Sequence, residues 1–255
     1  MRNLRLLIAY DGMDFFGWQK QPQGATVQGT LETAIEKVVN EKAHLAGSGR
    51  TDAGVHALGQ VASFTCENPI PCANLVKALN HALPITIRIR KAGEVPLSFH
   101  ARYSASAKTY IYRIFQAPVA LPFINRYVLH YPYPLDITSM NEAAHLLEGE
   151  HDFTSFAATP ELDDESPTRS TVRSIYSSRV ISRAGTSMLV YRVRGNGFLH
   201  HMVRNIMGTL IEVGRGRLLP LDILRILEAR DRSAAGPTVP AQGLCLMNVE
   251  YNKDS

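Results

Sequence analysis

Gly47-Ser48-Gly49-Arg50-Thr51-Asp52-Ala53-Gly54-Val55-His56-Ala57-Leu58-Gly59-Gln60 is a loop that carries one carboxylate close behind a cation and runs straight into the strand pattern Val61-Ala62-Ser63-Phe64. Its small residues let the backbone turn tightly and come close to a ligand, while Arg50, Thr51, Asp52 and His56 supply polar chemistry. A polar loop feeding a rigid strand is how a scaffold presents a preorganised site. Taken alone, the same residues also describe a turn capped by Asp52 with Arg50 paired to it on a solvated surface.

Upstream, Leu4 to Tyr10 reads as a strand and Asp11-Gly12-Met13-Asp14 as a turn. Phe15-Phe16-Gly17-Trp18-Gln19-Lys20-Gln21 then interleaves aromatics with amides and a lysine. Those aromatics either stack on bases or staple the loop to the core. Thr26 or Gln28 starts a helix with Val27, Leu31, Ile35, Val38 and Val39 at helical spacing. Downstream, Ala73 to Leu83 is a second helix stopped before Pro84, and Ile85 to Ala92 alternates as a half-buried strand. The first half is therefore strand, helix, strand, helix, strand.

Phe99-His100-Ala101-Arg102-Tyr103-Ser104-Ala105 reads as a linker into the second half. Lys108 to Phe115 is a strand with Lys108, Tyr110, Tyr112 and Ile114 on one face. Asp136 to Leu147 is a helix, and 161–165 is an acidic exposed loop followed by Arg169 and Arg173. Val172 to Ile181 and Met188 to Arg194 pair around Arg183-Ala184-Gly185. Phe198, Met202, Ile206 and Leu210, at four-residue steps, predict a core-facing helix with His200 and Arg204 on a neighbouring face. Leu221 to Ala229 is a further helix, and Leu244 to Val249 closes the chain as a strand. The fold class is α+β, with mixed α/β units and no convincing internal repeat.

The chain has 255 residues, 45% hydrophobic and 20% charged, the composition of an ordinary globular protein, and its formal charge of +4 permits a polyanionic partner. Cys66, Cys72 and Cys245 show neither a disulfide framework nor metal-ligand spacing; reduced thiols in a cytoplasmic protein are the simpler account. His56, His200 and His201 have no carboxylate or cysteine completing a recognised metal pattern, and an adjacent pair on a helix points in different directions. RNA contact or core hydrogen bonding is the expectation for them. No stretch is long and apolar enough to span a bilayer.

Taken together, Tyr10-Asp11-Gly12, Gly17-Trp18-Gln19, Gly49 to His56, Phe99-His100-Ala101-Arg102, Gly149 to Phe156, His200 to Asn205 and Ala241-Gln242-Gly243-Leu244 resemble the TruA family of transfer RNA pseudouridine synthases, nearly end to end. The resemblance implies a pseudouridine synthase fold of two related subdomains, 1–105 carrying the catalytic loop and 106–255, with a central, largely antiparallel sheet flanked by helices. It implies a homodimer that modifies uridines 38, 39 and 40 of the anticodon arm with no metal or organic cofactor. It makes Asp52 the catalytic residue, Arg204 its partner, Tyr110 the active-site tyrosine, and Arg50 the residue that engages the displaced nucleotide. Leu244 joins Tyr110 at the base pocket. Gly195 stands where many relatives have alanine.

The chemistry fits those residue types. The target base must leave its stack before a protein group can reach the N-glycosidic bond. An ionised Asp52 can attack as a nucleophile or remove a sugar proton, and a guanidinium beside it would favour the charged form. Tyr110 can stack on the uracil, and its hydroxyl can assist loss of the C5 proton. Gln19, Lys20, Arg50, His56, Arg102, Lys108, Arg169, Arg173, Arg204 and His201 are the expected RNA contacts, a distributed basic surface suited to reading RNA shape. The alternative class is a noncatalytic RNA-binding or RNA-folding protein. A phosphate-binding metabolic enzyme is disfavoured because the loop lacks the Gly-Lys-Ser/Thr ending of a P-loop.

Overall fold

The computed structural model describes residues 1–158, 170–182 and 185–252. The expectations for 161–165, for Arg169 and for the Arg183-Ala184 turn lie outside these residues. The chain forms two compact units, Met1–Lys108 with Cys245–Ser255, and Thr109–Leu244. Sequence reading expects a second unit running from 106 to the C-terminus. The structure returns the tail to the first unit, because the last strand pairs there through Cys245 with His56 and Leu246 with Ala57.

In the first unit β1 (Arg2–Tyr10) lies antiparallel between β3 (His56–Cys66) and β4 (Ile87–Val95). Leu4, Leu6, Ile8 and Tyr10 alternate inward along β1 and are buried, the period-two signature of a sheet with one face in the core. β2 (Ala46–Gly47) adds a short antiparallel pairing to β3, and β10 (Leu244–Tyr251) pairs parallel with it. β3 begins at His56, five residues before the expected strand, because Ala57 pairs with Tyr10 after a register shift between Ile8 and Tyr10. Such bulges re-aim a strand end, here beside the Asp52 loop.

Two helices accompany these strands. α1 (Val27–Val39) opens on Thr26, whose hydroxyl accepts from Gly29 N, and closes on Asn40 in the left-handed region. It buries Val27, Leu31, Ile35 and Val39 as the spacing predicts. α2 (Cys72–Ala82) buries Leu75 and Leu79 and ends before Pro84, as expected.

The second unit is built on β5 (Ala105–Phe115), whose first residues belong to the first unit. β6 (Leu129–His130) pairs parallel with β5, after a short α3 (Pro122–Asn125) that sequence reading does not predict. β9 (Met188–Gly195) neighbours β5, followed by β8 (Val172–Ser182) and β7 (Gly149–Asp152), antiparallel throughout from β7 to β9. α4 (Ile137–His145) packs on β8 and on α5 (Met202–Gly214), with α6 (Asp222–Ala229) beyond. The mixed α/β class, with largely antiparallel sheet carrying helices, is the one expected.

One helix differs in its start. The four-residue spacing places Phe198 and His200 in α5, but the helix begins at Met202, after His201 at φ 57°. The Gly195-Asn196-Gly197 turn stops the strand without providing a helix start, so Phe198 lies ahead of the helix and is set free for another contact. From Met202 onward α5 is buried almost all round, which marks a central helix.

Candidate active site

In the first unit the residues on either side of Arg50 are held from below. Ser48 Oγ donates to Gln60 Oε1 at 2.6 Å, and Gln60 Nε2 donates to the Gly49 carbonyl at 3.0 Å. The Tyr10 hydroxyl lies 2.8 Å from Thr51 Oγ1 and accepts a longer contact, 3.5 Å, from Gln60 Nε2. Ser48, Gln60, Thr51 and Tyr10 are all buried, so these bonds are shielded from water. Burial pushes the Tyr10 phenol far above its ordinary pKa, against the hydrogen bonds from Thr51 and Gln60, and it stays protonated.

The backbone is held as firmly as the side chains. Trp18 N donates to the Thr51 carbonyl at 3.0 Å, and Val55 N to the Asp52 carbonyl at 3.1 Å. The second bond closes a turn in which Gly54 takes φ 80°, a conformation that suits glycine. A Cβ at Gly12 would lie 1.9 Å from the Val55 carbonyl oxygen, so only glycine permits that approach. The Tyr10-Asp11-Gly12 and Gly17-Trp18-Gln19 segments are thus the supports of the Asp52 loop. Trp18, 2% exposed, is a staple to the core, which decides the open choice for this ring; Phe16 remains 59% exposed.

The other expected residues of this unit divide in the same way. Asp52 is half-buried and Arg50 exposed, so the loop presents both. Lys108 brings Nζ to within 2.9 Å of where a Gly49 Cβ would stand, which places its ammonium against the loop. His56 is 4% exposed, with Nδ1 3.2 Å from Gly12 N and 3.2 Å from Asp11 Oδ1; it holds the turn from inside. Gln19 is exposed, and Lys20 pairs with the buried Glu32 at 3.1 Å while staying largely in solvent. Arg102 is half-buried, its guanidinium 5.9 Å from the Tyr103 ring centroid.

In the second unit Tyr110 is buried and meets Phe198 edge to face, centroids 5.2 Å apart. Tyr112, on the same strand face, is core: its hydroxyl donates to the Pro240 carbonyl at 2.8 Å, and burial raises its pKa despite the nearby Arg204 charge. Arg204 is directed by its own hydrogen bond, Nε donating to the Val239 carbonyl at 2.8 Å. Leu244 is buried at the start of β10, and Arg173 Nη1 donates to the Ser170 and Val172 carbonyls at 2.7 and 2.6 Å. His200 and His201 do not diverge as a helical pair would. They precede α5, and their rings lie 3.9 Å apart at 37°.

Thr238, the residue before Val239, is held by a buried amide next to Arg204. Asn205, fully buried, donates to the Phe156 carbonyl at 2.7 Å and accepts from Thr238 Oγ1 at 2.6 Å and Arg232 Nη2 at 3.1 Å. Gly208 lets the same segment close on α5, since a Cβ there would stand 1.7 Å from the Pro237 carbonyl oxygen. Sequence reading missed Phe198 and Val239. The Gly-Asn-Gly turn is the signal that could have moved Phe198 out of the helix; a carbonyl such as that of Val239 has no residue-type signal at all.

A family model described as tRNA pseudouridine synthase matches residues 6–104 and 143–252. Asp52 and Arg204 fall inside these segments and Tyr110 between them. The tRNA pseudouridine synthase A of Solibacter usitatus is 53% identical over 251 residues, 98% of this chain and 100% of that protein. Those of Brevibacillus brevis and Caldicellulosiruptor saccharolyticus are 47% and 46% identical over the same length and the same shares of each chain. Likeness of this extent, running through every segment that builds the Asp52 loop and its supports, places the chain in the TruA family of tRNA pseudouridine synthases.

Proposed function

We propose that this chain converts uridine to pseudouridine at positions 38, 39 and 40 of the tRNA anticodon arm, with Asp52 as the catalytic carboxylate. The reaction breaks the bond from uracil N1 to ribose C1′, turns the base, and joins C5 to the same carbon. C5 loses a proton and N1 gains one, so the sum is an isomerisation. Asp52 acts ionised, on the ribose carbon or on a sugar proton. Tyr110, braced edge-on by Phe198, offers a ring for the uracil to stack on, and the guanidinium of Arg204 serves the same reaction. Arg50, exposed on the loop, takes the place of the flipped base or holds a phosphate.

The observation that supports this reading most is the clamp on the Asp52 loop. Buried hydrogen bonds restrain Ser48, Gly49 and Thr51, while Asp52 and Arg50 remain presentable. Preorganisation of this kind serves a group that must act at one place, and a noncatalytic RNA binder has no need of it. A cytoplasmic homodimer, in which one tRNA is shared between two copies, completes the proposal.

The test uses wild type and Asp52→Asn with tRNA carrying uridine at positions 38 to 40, with pseudouridine mapped at each. The amide keeps the size of the side chain and removes its charge. Product from wild type and none from a folded, tRNA-binding D52N is the expected result. Equal product from both would remove Asp52 from the reaction, and none from wild type across diverse tRNAs would return the noncatalytic reading.

A further inference from the structure

The β8–β9 ribbon buries one face through Ser178, Val180, Leu189, Tyr191 and Val193, with the Ser178 and Tyr191 hydroxyls 3.0 Å apart. Its other face is basic. Arg179 and Arg192 stand directly opposite each other in the antiparallel register, and both are exposed. Two pairs further along, and so on the same face, Ser177 lies opposite Arg194, whose guanidinium carbon lies 4.9 Å from the centroid of the Tyr176 ring. The register shift between Ile175 and Ser177 is what sets Tyr176, 49% exposed, beside that arginine.

This arrangement is costly for a solvated ribbon. Like charges directly opposite on neighbouring strands repel. Among the described residues no carboxylate forms an ion pair with Arg179 or Arg192. Both are arginines, whose planar forks match phosphate oxygens, and the exposed tyrosine under a third arginine adds a surface on which a base or sugar can lie. Repulsion of this kind becomes useful when a polyanion lies across the face and relieves it.

We propose that the Arg179–Arg192 face of the β8–β9 ribbon binds phosphates of the substrate tRNA, a contact additional to the residues of the Asp52 and Arg204 segments. It rests on the tRNA reading given above. The two arginines neutralise adjacent backbone phosphates and release their counterions. Tyr176, stiffened by Arg194, holds the strand of RNA against the ribbon.

The test measures equilibrium binding of tRNA to the full chain between 50 and 200 mM salt, for wild type, R179Q/R192Q and R179K/R192K. In R179Q/R192Q the slope of log K against log salt becomes shallower by about two, roughly one for each phosphate that is no longer neutralised. Its loss in turnover reads in KM rather than in kcat, and its melting temperature does not fall, since a repulsive pair has been removed. R179K/R192K keeps the wild-type slope. An unchanged slope and affinity in R179Q/R192Q would overturn the proposal, as would a lowered melting temperature accompanying an unchanged slope. If wild type binds tRNA yet forms no pseudouridine, the functional reading falls while the slope still judges this face.

Discussion

The Tyr10 hydroxyl and Thr51 Oγ1 lie 2.8 Å apart in the core of the first unit, one residue ahead of Asp52. Gln60 Nε2 makes a longer contact, 3.5 Å, to the same phenol oxygen. The pair therefore ties the last strand residue of β1 to the loop, at the residue that precedes Asp52. Tyr10→Phe and Thr51→Val should each lower kcat about tenfold, the effect of roughly 1.4 kcal/mol at the transition state. KM and tRNA binding should change little, and Thr51→Ser, which keeps the hydroxyl, should stay near wild type. The double variant should be no worse than the poorer single one, because both remove the same bond. Additive losses would show that the two side chains act separately.

Asn205 makes a parallel prediction in the second unit. Asn205→Leu leaves the Phe156 carbonyl, Thr238 and Arg232 without their buried partner. Unfolding in urea should show a loss of about 2–4 kcal/mol, the cost of orphaning buried polar groups in a network. Thr238 neighbours Val239, whose carbonyl directs Arg204, so kcat at a temperature where the variant is folded should fall as well. A stability loss with unchanged kcat would separate the network from Arg204.

Gly208 and Gly93 form a matched pair of tests. A Cβ at Gly208 would stand 1.7 Å from the Pro237 carbonyl oxygen, while one at Gly93 meets nothing within 4 Å. Gly208→Ala should therefore destabilise by about 3 kcal/mol, at the upper end of overpacking. Gly93→Ala should lie within about 0.5 kcal/mol of wild type. Thermal unfolding of the two variants side by side checks this, and equal melting temperatures would contradict the packing of the 236–240 segment on α5.

Asp152 carries a pH signature. Its Oδ1 accepts from Thr154 N at 3.0 Å and from the Thr154 and Thr171 hydroxyls at 2.6 Å each, and Oδ2 lies 3.2 Å from Arg230 Nε. Partial burial pushes the carboxyl pKa up, but these hydrogen bonds and the Arg230 charge outweigh it and hold the pKa below the ordinary carboxylate value. A lowered folded-state pKa contributes stability above the unfolded-state value, and that stability is lost as pH falls through the folded one. Asp152→Asn should cost about 2 kcal/mol at neutral pH, the worth of hydrogen bonds to a charged group. The gap from wild type in urea midpoint should shrink once pH drops below about 4. A gap of constant size down to pH 3 would assign the loss to shape rather than charge.

Much of the first unit was legible because its signals are local. The α1 spacing, the Thr26 cap and the alternation in β1 each declare themselves within one turn or a few residues. The same local rule misled at α5, where four-residue spacing reached back to Phe198 although the chain had not yet entered the helix. Spacing reports what a helix would bury, and it does not report where the backbone first takes helical angles. His56 shows the corresponding limit at the site, since a histidine in a polar loop reads as a contact until the fold closes over it.

The sequence by itself determined the order of the main strands and helices, the α+β class, the Asp52 loop as a candidate site and, through motifs in fixed order, the family. Only the tertiary structure decided that β10 returns to the first unit, that Trp18 is a staple, that Gln60 and Tyr10 grip the loop, that the Val239 carbonyl directs Arg204, and that Arg179 faces Arg192. The reason is physical. Periodicity, caps and turn chemistry act over a few neighbouring residues and are written in side-chain types. Strand register, burial of a particular ring and the partner of a backbone carbonyl depend on residues far apart in the chain, and every residue carries the same carbonyl.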